Sequence, residues 1–501
     1  MKLVVISDIH DGGISTGDAS FRHVNGPRLL LRRAIARINR FVKPDLVAVL
    51  GDLVERGDAF DAPERYDALF HILDELQPPW CAIPGNHDAP PAIFYRHIPR
   101  PPERWEAAGV RVLPFLDTPT ASYQATRRPE DLERARSAGE GWDGPIVALH
   151  HVPLFPPGAH SCPYNYTNAE DALSAYHAGG IGITIAGHYH AGFGPLACGT
   201  GWSLAVPALA VPPFRFWELE IERGAPPRLT EHELRLPDGL PLGESHVHTE
   251  FAYCADDISI EAALEVCALV GVCAPAFAEH SGQLYFDRET FWSAAFMDKG
   301  LSTKEGRVER VSSYLERAAA VGLSRQRVGF ETDFDFHGRP VLEAADRAAA
   351  GFIIGSYHWT PETAACRPFD SHLCAERHRR VWERMLSSGL EVLAHPFRVW
   401  SRAGVPPPPG LFAELADRLG RARVAAELNF HLEVPSAEFA VACLERGVPF
   451  SLGTDSHALV NVGDFWPHLQ FLARLGIGAG DLERVLWQPD GRGPLTVHAR
   501  L

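Results

Sequence analysis

Short, unbroken apolar runs punctuate the first 220 residues, at Leu3–Ser7, Leu46–Leu50, Trp80–Ile83, Ile146–Leu149 and Ile181–Ala186. Runs of Val, Ile and Leu without polar alternation predict strands covered on both faces, as in parallel or mixed α/β sheets. Between them, Arg28–Val42 and Pro63–Leu76 read as amphipathic helices. Residues 223–245 are rich in Pro and Gly and lack apolar periodicity, which predicts a linker with its boundary near Leu236–Gly243. The rhythm then restarts with runs at Ala274–Ala278, Val328–Phe330, Gly351–Gly355, Leu390–Ala394, Val424–Leu428 and Pro449–Leu452. Helical stretches such as Arg307–Val321 and Leu411–Leu419 separate them, and Pro406–Pro409 reads as a loop. Six repeated βα units favour a barrel.

In both halves the chemistry-bearing residues follow the apolar runs directly. That places them at the carboxyl ends of the strands, where α/β sheets and barrels carry their sites. In the first half these residues are Asp8 and His10, Gly51-Asp52, Gly85-Asn86-His87-Asp88, His150-His151 and Gly187-His188-Tyr189-His190. Carboxylates, an amide and imidazoles without a thiolate suit Mn, Fe, Zn or Ni. Taken singly each piece is weak, but in this order and at strand ends they form a specific signature. It resembles the calcineurin-like metallophosphoesterases over residues 1–222, within which its context is similar to the branch of cyclic-nucleotide phosphodiesterases and small-molecule phosphatases.

That resemblance implies an αββα sandwich holding two divalent metal ions. One would be bound by Asp8, His10, Asp52 and His190, the other by Asp52, Asn86, His151 and His188. His151 is preferred to His150 because it stands before Val152-Pro153. A hydroxide between the metals would attack phosphorus, with His87 protonating the leaving oxygen and Asp88 orienting His87. Arg56 stands where some relatives clamp phosphate, or is a solvated loop charge.

The second half opens on His246-Val247-His248-Thr249 and continues with Glu279-His280, Glu331, His358, His395, Asp455 and His457. As an ordered set, these residues resemble the PHP (polymerase and histidinol phosphatase) family over residues 243–501, with Glu427-x-Asn429 matching a family strand. The implied fold is a distorted (β/α)7 barrel, following the sandwich after a linker at 223–242. The implied metals are one on His246, His248, Glu331 and Asp455, a second on Glu331, His358 and His395, and a third on His280, His457 and a loop residue. Where phosphatase relatives often carry a His, this chain has Cys254-Ala255-Asp256-Asp257, so Asp256 is the candidate third ligand. The aromatic stretch Leu284–Phe296 reads either as core packing or as a wall over the pocket. Arg398 is a candidate phosphate contact. His71, His97, His177, His337, His372, His378 and His431 belong to no motif.

Composition then narrows the function. The 501 residues exceed what one core serves, so two domains are expected. The net charge of −16 is shared by both halves, which argues against a large nucleic-acid groove. Nine scattered cysteines without a Cys-x-x-Cys pair read as free thiols of a reducing cytoplasm. No apolar run reaches the ~20 residues that span a bilayer. The chain therefore reads as a soluble, cytoplasmic, two-domain metal-dependent phosphoesterase acting on mono- or diesters of small molecules. Two alternatives stand beside this: a metal-dependent nuclease or end-processing enzyme, and a chain whose PHP domain is regulatory rather than catalytic.

Overall fold

The computed structural model describes residues 1–12 and 24–489. It divides into two compact units, Met1–Arg235 and Leu236–Leu501. No described helix is long and apolar enough to cross a membrane.

The first unit carries β1 (Lys2–Ile6), β2 (Leu46–Leu50), β3 (Trp80–Ile83), β4 (Trp105–Ala107), β5 (Val110–Pro114), β6 (Thr118–Pro119) and β7 (Ala125–Thr126). It continues with β8 (Ile146–Leu149), β9 (Ile183–Ala186), β10 (Phe193–Cys198), β11 (Gly201–Ala205), β12 (Arg215–Glu220) and β13 (Arg228–Glu233). These form a five-stranded sheet in the order β13-β12-β1-β2-β3, a six-stranded sheet in the order β10-β11-β9-β8-β5-β4, and the hairpin β6-β7. The two larger sheets pack face to face. Leu3, Val5, Leu46 and Ala48 from one meet Val112, Val147, Ile183 and Ile185 from the other in one buried cluster. Each Val, Leu or Ile among them contributes roughly 1.5–3 kcal/mol by leaving water. Helices Pro129–Arg136 and Ala169–Ala178 cover the six-stranded sheet through Ala135, Ala172, Ala175 and Tyr176.

Two expectations are corrected in this unit. The helix beginning after the Asn25 cap is α-helical only over Gly26–Arg37, and Ile38–Val42 widens into a π turn closed by Lys43 at φ 50°. The stretch read as a linker contains β13, which pairs antiparallel with β12 from Arg215↔Glu233 to Glu220↔Arg228. Its sequence is polar because it forms the sheet edge, where side chains meet solvent on more than one side.

The second unit carries β14 (Phe277–His280), β15 (Val328–Asp333), β16 (Phe352–Ser356), β17 (Val392–Leu393), β18 (Ala425–Asn429) and β19 (Phe450–Gly453). They lie side by side in chain order and every pair is parallel. The segment Glu244–His248 bonds to both ends of this series. The Ala276 and Ala278 N–H groups donate to Glu244 O and Val247 O at 2.7 and 3.0 Å, and the His248 N–H donates to Ser456 O at 3.0 Å. Intervening helices include Val311–Ala320, Ser371–Ser387 and Leu411–Ala422.

Candidate metal centres

Seven of the residues singled out by sequence share one local position: each is the second residue past the end of a strand. Asp8, Asp52, His151 and His188 follow β1, β2, β8 and β9, and His358, His395 and Asp455 follow β16, β17 and β19. Five of the seven have positive φ: Asp8 54°, Asp52 51°, His188 61°, His395 25° and Asp455 51°. His10 joins them at 51°. L-residues visit this region at a cost of about 1 kcal/mol or more each, so the backbone here is held against its own preference.

In the first unit the donor triads include Asp8–His10–His190 and Asp52–His151–His188, with His10–Glu55–His87 beside the first. Asp52 stands between the first two, with Oδ2 3.9 Å from His10 Nε2 and 3.2 Å from His151 Nε2. His190 Nε2 is 3.2 Å from His10 Nε2 and 3.5 Å from Asp8 Oδ1, and Asn86 Oδ1 is 3.0 Å from His151 Nε2. Backbone bonds aim the rings: His151 Nδ1 meets Leu50 O at 2.6 Å, and His188 Nε2 meets Tyr123 O at 3.0 Å. Glycine is required where the loops converge, because a Cβ on Gly85 would collide with Asp52 and one on Gly187 with Ser7. Burial alone would raise the Asp52 pKa, but the charge of His151 outweighs it and holds the carboxyl well below the ordinary range. Burial likewise opposes the charge on His151, and Asp52 overrides it to hold that imidazole up to about 10. His188 goes the other way, to about 4, through burial and the neighbouring His151.

In the second unit Glu331 meets five imidazoles. Its Oε2 lies 3.5, 3.6 and 2.5 Å from His246 Nε2, His248 Nε2 and His280 Nδ1. Its Oε1 lies 3.2 and 2.7 Å from His358 Nε2 and His395 Nε2. The two oxygens of one carboxylate thus face two separate groups of nitrogen donors. Asp455 Oδ1 adds contacts at 3.1 Å to His248 and 3.7 Å to His246. Outer partners fix the rings: Glu427 on His246 Nδ1 at 2.6 Å, Glu279 on His248 Nδ1 at 3.2 Å and Asp333 on His358 Nδ1 at 2.8 Å. Burial would raise the Glu331 pKa, yet His280, His358 and His246 together hold it well below normal.

Both clusters fit cations. Asp8 Oδ1, Glu331 Oε2, His246 Nε2 and His280 Nδ1 are buried and make no well-aligned hydrogen bond, although Glu331 Oε2 and His280 Nδ1 stand only 2.5 Å apart. Dry, unpaired acceptors of this kind are costly unless something charged completes them.

Residues 1–192 match the model of the family described as calcineurin-like phosphoesterase. The amino-terminal unit carries a calcineurin-like phosphoesterase domain. The family implies divalent metal ions and metal-dependent hydrolysis of phosphate esters. Among solved structures, a dimetal phosphatase from Danio rerio is similar over 46% of this chain and 98% of its own, at 16% identity and TM-score 0.37. A purple acid phosphatase from yellow lupin seeds is similar over 46% of this chain and 51% of its own, at 14% identity and TM-score 0.33. No curated protein matches the chain.

Within the phosphoesterase domain two expected roles are corrected. Arg56 does not reach the centre: its side chain is 71% exposed and pairs with Asp58 at 3.3 Å, which makes it a solvated loop charge. Asp88 does not orient His87. Its carboxylate accepts the N–H groups of Leu53, Val54 and Gly85 and the Tyr66 hydroxyl at 2.9–3.2 Å, clamping the Gly85 loop to the Asp52 loop. Burial and nearby Asp52 push its pKa up to about 7. His87 instead turns Nδ1 to the Glu55 carbonyl at 2.9 Å, and its own N–H donates to Asp52 Oδ1 at 2.8 Å. His150 is buried beside the centre with Nδ1 on Val152 O at 2.6 Å, and burial pushes it down to about 4.

In the second unit Asp256 is exposed, and it is its backbone N–H that meets His457 O at 2.9 Å. The donor set around His280 and His457 is completed by His248 rather than by Asp256. Arg398 lies buried at the centre, donating to Asp455 Oδ2 at 2.6 Å. Most of the aromatic stretch is core: Tyr285, Phe286, Phe291 and Phe296 are buried, while Trp292 is half exposed and the Phe291 ring stands 6.0 Å from that of His280.

Sequence reading missed several neighbours of the centres. Glu55 meets His10 Nδ1 at 2.7 Å, and the signal was its place three residues after Asp52. His431, set aside as ordinary, stacks on His457 at 4.7 Å, and its position two residues after Asn429 was the available clue. Asp117 accepts the N–H groups of His151 and Val152 at 3.1 and 2.7 Å, and no motif marks it.

Proposed function

We propose that the amino-terminal unit hydrolyses phosphate mono- or diesters of small molecules at two divalent cations, and that the carboxy-terminal unit is a PHP-type phosphoesterase barrel with its own cation cluster. The observation that carries the first reading is the place of Asp52, one carboxylate between two histidine-bearing donor sets. Asp8, His10, Asp52 and His190 would hold one cation, and Asp52, Asn86, His151 and His188 the other. Divalent ions there supply charge against the phosphoryl oxygens and a lowered pKa for nearby water. His87 is suited to the leaving-group proton. With Nδ1 donating to the Glu55 carbonyl, its Nε2 is the nitrogen left to give a proton when the ring is charged.

Support for the second reading comes from Glu331 dividing five imidazoles between its two oxygens, and from Glu244–His248 bonding to both ends of the parallel series. His246, His248, Glu331 and Asp455 would hold one cation and Glu331, His358 and His395 another. Small esters are favoured over nucleic acid because the chain is acidic and, among the described residues, no Lys or Arg lines the cavity beside the first centre.

The test is Asp52→Asn in an Asp455→Asn background, so that only the first centre is read. Metal content by mass spectrometry and release from bis(p-nitrophenyl) phosphate should both fall, the rate by at least about 100-fold. A metal-replete wild type that cleaves no ester, or an Asp52→Asn variant that keeps the wild-type rate, would overturn the reading.

A further inference from the structure

At the Asn86 and His151 edge of the first centre opens a cavity of about 650 Å³, within the range that takes a small organic molecule. Most of its surface is apolar. Pro84, Pro90, Pro91, Pro119, Val152 and Tyr123 line it, and among the described residues no Lys or Arg does. Its two carboxylates are already engaged: Asp88 holds the loop N–H groups named above, and Asp117 is tied to Arg127 and to the His151 and Val152 N–H groups. Thr120, also in the lining, has a buried hydroxyl oxygen without a partner. Besides this apolar surface the lining carries the Thr120 and Ser122 hydroxyls and the Asn86 and Gln124 amides, but among the described residues no cation to meet a second phosphate.

Tyr123 connects this cavity to the centre. It sits at the tip of the β6–β7 hairpin, where Ser122 and Tyr123 stand consecutively at φ 60° and 58°. Two consecutive residues in the left-handed region are the geometry of a tight hairpin turn, which fixes the Tyr123 backbone at the rim. The Tyr123 carbonyl accepts from His188 Nε2 at 3.0 Å, while its side chain is 62% exposed at the rim. The Tyr164 ring lies 6.4 Å from it and 4.4 Å from that of His188, so the rim continues as an aromatic wall down to the donors. An exposed tyrosine fixed by its own backbone to a site imidazole is a preorganised stacking surface.

We infer that this cavity receives the leaving group of the phosphoester, and that the group is an alcohol bearing an uncharged aromatic ring, with Tyr123 as the specificity-determining face. The inference rests on the first centre being the phosphoesterase site proposed above. A polyphosphate would bring further charge against proline with no cation among the described lining residues to meet it. An aromatic ring loses no hydrogen bonds there and gains the tyrosine face.

The test compares 2-phenylethyl phosphate with n-propyl phosphate, each as monoester and as methyl diester, in the Asp455→Asn background. The two leaving alcohols are similar in acidity, so the chemical step is matched and the ring is the variable. The expected result is kcat/KM about tenfold higher for the phenylethyl ester, carried mainly in KM. Tyr123→Ala should bring that ratio close to one, and Tyr123→Phe should retain it. Equal kcat/KM for the two esters in the wild type, faster cleavage of pyrophosphate than of either, or an equal loss on both esters in Tyr123→Ala would overturn this inference while leaving the phosphoesterase reading intact. A metal-replete protein that cleaves neither ester, nor bis(p-nitrophenyl) phosphate, would overturn both.

Discussion

Arg127 offers the sharpest probe of how the first centre is supported. Its guanidinium is buried, lies over Phe115 and Tyr166 at 4.9 and 4.8 Å, and bonds to Leu116 O, Asp117 and the Tyr166 hydroxyl. Through Asp117 it reaches the backbone of His151, since Asp117 Oδ2 accepts the N–H groups of both His151 and Val152. Arg127→Met keeps much of the volume and removes the charge, leaving a buried carboxylate without its cation. Such a loss costs about 3–5 kcal/mol. The pH dependence follows from Asp117. Burial would raise its pKa, but Arg127 first among its partners holds it below the ordinary range. Without Arg127 burial prevails, and the folded pKa moves above the unfolded value. Stability is then lost as pH rises from the unfolded pKa through the new folded one, so the penalty is largest at neutral pH and shrinks toward pH 4. Urea unfolding at several pH values measures this. The double variant Asp117→Asn/Arg127→Met should recover roughly half of the loss, because the amide oxygen still accepts from His151 without carrying charge. Metal affinity of the single variant should fall by about 10–100-fold as His151 loses its anchor. The reasoning fails if the single variant loses under about 1 kcal/mol, if the loss is flat with pH, or if the double variant is no better.

Three further outcomes can be checked. Arg56→Ala should keep kcat/KM within about twofold of wild type in ester hydrolysis, because its partner is the exposed Asp58. Glu427→Gln should weaken divalent-metal binding at the second centre by about 10–100-fold in calorimetric titration, since Glu427 aligns His246 through Nδ1 and His395 through its N–H. His378 is buried among Tyr357, Trp382 and Trp400, and burial pushes it down to about 4. The unfolded chain takes up that proton near pH 6.5 and the folded chain only near 4, so stability falls by up to about 3 kcal/mol as pH drops across that window. Unfolding of His378→Phe should lack that part of the slope.

Much of the first unit was readable because its parallel strands are buried on both faces, and that leaves uninterrupted apolar runs such as Leu46–Leu50. Among the strands that escaped reading, β12 and β13 are antiparallel and part exposed, while β5 is parallel and buried but its run is broken by Arg111. Arg215–Glu220 alternates, Arg228–Glu233 is a polar edge, and neither stands out from loop sequence. The donors were legible for a related reason, since His and Asp directly after an apolar run have few structural uses. What the sequence could not display were contacts set by folding across long separations. Glu427 reaches His246, 181 positions away, and Asp117 reaches His151 with no motif at either end. Asp88 shows the converse. Its neighbour His87 suggested a partnership, but three loop N–H groups with no other acceptor claimed the carboxylate first.

The shared offset of the seven donors, two residues beyond a strand, ties those seven to the length of the sheet, while His10, Asn86 and His190 depend on the first turn of their loops. A residue inserted beyond Asp8, Asp52 or Asp455 lengthens a connection and leaves the donor in place. A residue inserted within β1, β2 or β19 turns every later side chain to the opposite face and carries the donor away from its partners. Beyond that first turn, connections in such a chain are free to lengthen and diverge into new binding surfaces, while the strands beneath them must keep their count.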